Sequence, residues 1–217
     1  MKTRSKALLL SLCAVLLVAA SVLGTMAYLT DTQTVTNTFT VGAVAITLDE
    51  TDVDAYGVKE SEERVSANSY KLIPGHTYIK DPVVTVKKDS ENSYIKMTLT
   101  VSKSAELDAI FNKQPADLLK IFGGYDATNW LYKGNVEDNQ SNTRTYTFWY
   151  KETVAAPAQD IKLDALFDTI TVPGEISNVQ LETIKDMTIT VKAFAIQADT
   201  FNSADEAWTA FDTQKNT

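Results

Sequence analysis

The 217-residue chain holds one cysteine, Cys13, and one histidine, His76. A lone cysteine excludes an internal disulfide, so stability has to come from a hydrophobic core that a chain of this length can build. A lone histidine excludes a zinc centre built on several imidazoles, and no His-Glu-x-x-His is present. It also leaves His76 as the single imidazole base for a Ser/His/Asp or Cys/His triad. His76 follows Pro74-Gly75 in a predicted turn, where a solvated side chain is the simpler expectation. Glycine is scarce, at eight residues. Gly123-Gly124 stands without the Lys-Ser/Thr of a phosphate loop, and no serine lies in a Gly-x-Ser-x-Gly elbow. These gaps predict a protein that is not an enzyme and carries no cofactor.

Positive charge is also in deficit. Lys and Arg number 20 against 28 Asp and Glu, a formal charge of −8. Such a surface repels phosphate backbones and anionic lipid, so no nucleic-acid partner is expected. Basic partners or divalent cations suit it better.

What basic charge there is at the start has a pattern. Lys2, Arg4 and Lys6 precede an apolar run from Ala7 to Leu23, and Gly24-Thr25-Met26-Ala27 follows. A positive n-region, an apolar h-region and small residues at Thr25 and Ala27 predict a secretory signal cut between Ala27 and Tyr28. The run lies near the lower limit for a spanning helix, which keeps a membrane anchor as the rival reading. A lipidated Cys13 would need a small residue before it, where Leu12 stands. The expected location is extracellular, and a cysteine-free exported domain suits a Gram-positive bacterium.

Beyond the leader, period-two patterns dominate. Val44, Ile46 and Leu48 alternate with small or polar residues. Val84 and Val86 lead into the Lys87–Ser90 turn, and Tyr94, Met97, Leu99 and Val101 follow in a strand-like stretch. Thr143–Tyr150, Phe167–Val172 and Met187–Ile196 complete the set. Three segments have helical spacing instead: Ser104–Phe111, Leu118–Phe122 after Pro115, and Ser203–Phe211, the last with Ala207, Trp208 and Phe211 facing the body. The expected fold is mainly β, a jelly-roll-like antiparallel β-sandwich with a few short helices, after an N-terminal signal helix.

Asp49–Ser69 is acidic and polar and is predicted to be a long surface loop. Asp49, Asp52 and Asp54, beside Glu50, are the calcium candidates, although their spacing does not fit an EF-hand loop and a solvated acidic run is the plainer account. Tyr146, Phe148 and Tyr150 fall on one strand face with Trp149 opposite. That leaves a glycan-binding platform and core packing as competing explanations.

The mature start is the most distinctive stretch. Tyr28, Leu29, Thr30, Asp31, Thr32, Gln33, Thr34, Val35, Thr36, Asn37 and Thr38 contain no glycine or proline and favour an extended backbone. Leu29, Val35, Phe39 and Val41 all take odd positions, so one face is fit for burial. At Gly42-Ala43 the apolar phase moves to even positions, which predicts a bulge or a change of sheet. The expected division is residues 1–27 as signal peptide, 28–41 as an extended arm and 42–217 as the β domain. An ordinary loose terminus is one account of the arm. A strand donated to a neighbour's sheet is the other.

Gly24-Thr25-Met26-Ala27-Tyr28-Leu29-Thr30-Asp31, then Asn37-Thr38-Phe39-Thr40-Val41-Gly42 and the Val44–Leu48 strand, resemble the TasA/camelysin family of exported bacterial matrix proteins. Leu72-Ile73-Pro74-Gly75-His76-Thr77-Tyr78-Ile79-Lys80-Asp81-Pro82 is similar to that family's Pro-Gly turn and following strand. Ala193–Asp199 with Glu206-Ala207-Trp208 resembles endings of clostridial-type members. The resemblance implies cleavage by a SipW-type signal peptidase and a jelly-roll subunit of biofilm-matrix or surface fibres. Copies would join head to tail through the arm, with an anchoring or nucleating matrix protein as a further partner. A monomeric adhesion or glycan/protein-binding module is the alternative, and a camelysin-like metal-dependent protease the third.

Overall fold

The computed structural model describes residues 43–111 and 121–215, together with Leu16. The remainder of the predicted signal peptide, the Ala27–Tyr28 cleavage point, the arm 28–41 with its candidate donor strand Tyr28–Thr38, and residues 118–120 of the second expected helix lie outside the described residues. The chain divides into a unit Met1–Val41 and a unit Gly42–Thr217.

The second unit is mainly β. Its strands are β1 (Ile46–Val53), β2 (Lys59–Val65), β3 (Thr77–Ile79), β4 (Val83–Val86), β5 (Ser93–Ser102), β6 (Phe122–Gly123), β7 (Trp130–Asp138), β8 (Thr143–Tyr150), β9 (Ile161–Lys162), β10 (Thr169–Thr171) and β11 (Ile189–Gln197). Among the described residues three helices, α1 (Ser104–Phe111), α2 (Asn178–Thr183) and α3 (Ala204–Lys215), decorate them. The strands form three antiparallel sheets in the orders β2-β1-β4-β9, β3-β10-β6 and β11-β5-β8-β7. The chain crosses between sheets repeatedly, so β5 lies between β8 and β11 rather than beside β4. Among the described residues no helix is long and apolar enough to cross a membrane.

β5 shows why the layers stack. Ile95, Met97, Leu99 and Val101 are buried on one face, against Val84 and Val86 of β4, Tyr146 and Phe148 of β8, and Tyr78, Phe122 and Ile170 of the small sheet. Each such aliphatic side chain stabilises the fold by about 1.5–3 kcal/mol relative to exposure. A single core therefore joins all three sheets as an antiparallel sandwich.

The other face of β5 is covered as well. Lys96 sends Nζ to within 3.0 Å of Asp212 Oδ1 and 4.4 Å of the Trp208 ring centroid, so α3 docks through a cation held between aromatic rings. Ala207 and Trp208 are buried there, with Ser203 Oγ accepting from the Glu206 N–H near the helix start. This agrees with the helix expected over Ser203–Phe211.

Asp49–Ser69 is not a loop. Its first five residues complete β1, which pairs antiparallel with β2 around a turn at Asp54–Val58. Asp54 Oδ1 accepts from the Tyr56 and Val58 N–H groups, both at 2.9 Å, and Gly57 supplies a φ of +74°. The segment reads as loop because β2 carries five charged residues in seven and has no apolar face of its own. Of the expected second helix, Phe122 stands in β6.

Candidate functional site

Among the described residues six strand edges border the three sheets, and five are blunted. β2 is heavily charged, β9 and β6 are two residues long and β3 is three. β7 is kinked by a register shift between Tyr132 and Gly134, where φ reaches +113°. β11 is the exception: nine residues pair with β5 without interruption. No described strand takes up its other side.

The orientation of the side away from β5 follows from two bonds. Ser102 N–H donates to Thr188 O at 3.0 Å, and Ala198 N–H donates to Asn92 O at 2.7 Å. Antiparallel residues alternate in the direction of their main-chain groups, so even-numbered residues of β11 face β5 and odd-numbered ones turn N–H and C=O to the open edge. Ile189, Val191, Ala193 and Ala195 also turn their side chains to the core, yet remain half-buried, as do Ile46 and Leu48 of β1. A cavity of about 180 Å³ separates Leu48–Glu50 from Ile189–Val191. A larger one of about 500 Å³ continues past Ile189 towards Tyr70, Leu107 and Val172.

Lys80 and Asn68 line both cavities, and Glu50 lines the smaller. Glu50 falls in phase with Ile46 and Leu48, and Lys80 in phase with Tyr78, so the strand alternation turns both charges inward. Their side chains are 7% and 8% exposed and form a buried ion pair. Glu50 Oε1 accepts from Asn68 Nδ2 at 2.9 Å, while Asn68 Oδ1 accepts from the Val53 N–H at 3.1 Å. Burial and the nearby Glu50 carboxylate push the Tyr70 phenol well above its ordinary value. On the other side of β1, Arg64 bridges Asp49 and Asp81, with Nη1 2.8 Å from Asp81 Oδ2.

The calcium candidates go to separate partners. Asp49 pairs with Arg64, Asp52 accepts from Ser61 Oγ at 2.9 Å, and Asp54 serves its own turn. Among the described residues no group of three or more His, Cys, Asp or Glu side chains is placed to hold a metal ion. His76 Nε2 lies 2.7 Å from Tyr56 O, and its ring meets Tyr78 edge-on, so it ties the β1–β2 turn to β3 rather than standing free in solvent. The aromatic strand alternates as expected. Tyr146 and Phe148 are buried, Tyr150 packs on Trp130, and Trp149 lies against Trp208 beneath α3. These rings belong to packed layers, and β8 presents no open aromatic platform.

Comparison with family models, with curated proteins and with solved structures gives no match.

Proposed function

We propose that the chain is a secreted, non-enzymatic structural subunit of bacterial extracellular fibres, in the biofilm matrix or on the cell surface. Each copy would donate its mature N-terminal strand to a neighbour. The acceptor in this proposal is β11, and the supporting observation is that, among the described residues, it alone of the six sheet edges is long and unkinked and has no strand on its other side. The half-buried Ile189, Val191 and Ala193 lie on its core side, with Leu48 across the smaller cavity from Ile189 and Val191. An incoming strand would bond to the odd-numbered main-chain groups and seat alternate side chains over the incompletely covered core.

The arm suits that role in composition and reach. Tyr28–Thr38 spans eleven positions against the nine of β11, favours extension, and continues with Phe39 and Val41 in phase with Leu29 and Val35. Cleavage after Ala27, assigned to a SipW-type signal peptidase, would free it outside the membrane and delay assembly until export. Donation to the next copy is a heterologous contact, and one that does not close on itself propagates as a filament. An anchoring or nucleating matrix protein would fix one end.

Electron microscopy of protein beginning at Tyr28, beside protein lacking residues 28–38, tests the proposal. Filaments are expected from the first and soluble monomers from the second. Equal assembly by both removes the donated arm from consideration.

A further inference from the structure

Glu50, Asn68 and Lys80 hold the ingredients of a condensation reaction. The ammonium of Lys80 and the carboxamide nitrogen of Asn68 rest on the two oxygens of one carboxylate, Nζ on Oε2 and Nδ2 on Oε1. The ion pair is withdrawn from water, with both side chains under a tenth exposed. Tyr70 flanks Nζ, its ring centroid 5.8 Å away. The carboxamide is fixed in orientation, because Nδ2 also donates to Thr51 O at 2.8 Å and Oδ1 accepts from the Val53 N–H at 3.1 Å.

We propose that Lys80 and Asn68 join through an amide bond between Nζ and Cγ, with Glu50 as the proton carrier and ammonia as the leaving group. Glu50 first takes a proton from Nζ, and the freed amine lone pair adds to Asn68 Cγ. Negative charge gathers on Oδ1, where the Val53 N–H already points, in the manner of an oxyanion donor. Glu50 then passes its proton to Nδ2 and removes the second proton from Nζ. The carbonyl re-forms as the Cγ–Nδ2 bond breaks. Ammonia departs with the remaining proton as ammonium and leaves Glu50 a carboxylate, so no oxidant, reductant or cofactor is consumed. The ordinary alternative is a buried ion pair with a hydrogen-bonded asparagine. It accounts for the contacts but leaves the full mass of the chain unchanged.

The bond would tie the segment after β2 to the end of β3, beside the wall of both cavities. It forms within one copy, so it stands or falls independently of assembly.

Intact-mass spectrometry of the full chain, followed by tryptic mapping, decides the matter. The expected mass lies below the sequence mass by one ammonia, about 17 Da. The map is expected to show no cleavage after Lys80 and a branched peptide joining Lys80 to Asn68. Lys80→Arg keeps the cation but removes the nucleophile, and Glu50→Gln removes the proton carrier; both should regain the full mass, with near-ultraviolet dichroism confirming their fold. A wild-type chain at full sequence mass overturns the proposal, and needs no variant to do so. An ammonia deficit that persists in Lys80→Arg and maps to a succinimide at an asparagine overturns it equally.

Discussion

Arg144 grips Asp108 with both terminal nitrogens, Nη1 2.8 Å from Oδ1 and Nη2 2.7 Å from Oδ2, while its side chain is 1% exposed. Nη2 also reaches Glu137 Oε2 at 2.8 Å. The guanidinium occupies an inward position of β8, next in phase to Tyr146 and Phe148, and α1 brings Asp108 down to meet it. A planar, two-pronged pair of this kind fixes α1 in register on the sheet.

Removing one partner strands a buried cation, which costs more than the pair contributes. Asp108→Ala is expected to lower stability by about 3 kcal/mol, since Glu137 retains part of the contact. Urea unfolding checks this, and the midpoint should fall with little change of slope. A loss under about 0.5 kcal/mol would place Asp108 among ordinary surface ion pairs.

Asp81 carries an acid-sensitive part of the stability. Burial pushes its carboxyl up, but hydrogen bonds from Arg64 and from the Thr51 N–H and hydroxyl outweigh this and hold it below its ordinary 3.8. A carboxylate depressed in the folded state stabilises the fold above its unfolded value, and that contribution is lost as pH falls through the folded value. Asp81→Asn should therefore be less stable than the parent near neutrality and show a shallower decline below about pH 4. Urea midpoints measured down a pH series give the comparison. Parallel curves for the two proteins would assign the acid sensitivity to other groups.

Ala193→Pro separates folding from strand acceptance. The Ala193 N–H points to the open side of β11, so proline removes a donor that an incoming strand would use while sparing the ladder to β5. The variant should retain a cooperative thermal transition and fail to form filaments. Filaments at the parental level would exclude β11 as the acceptor.

The strands with one buried and one solvated or helix-covered face were legible in the sequence. Thr143–Tyr150 and the stretch around Tyr94–Val101 alternate plainly, and the structure places β8 and β5 there. β7 was not legible, because Lys133, the extra residue between Tyr132 and Gly134, reverses the phase halfway along it. β2 was hidden for a different reason: as an edge strand whose partner β1 supplies the apolar contacts, it needs no hydrophobic alternation. α2 did leave a trace, since Ser177 and Gln180 form a capping box, but six residues give too short a periodicity to notice. The cluster of Glu50, Asn68 and Lys80 escaped because its members come from separate segments and each resembles a surface residue in isolation. The one available clue was the in-phase continuation of Ile46 and Leu48 to Glu50, which puts a charge where the pattern calls for a core side chain.

The long ladder between β5 and β11 also governs how the domain bears force. Its bonds run across the strands over nine residue pairs, and β5 is held on its far side by seven more to β8. A pull along the axis of β11 loads these bonds together in shear, whereas a pull across the ladder parts them one after another. Traction delivered lengthwise through that strand meets the strongest direction of the sheet, and peeling from its end meets the weakest.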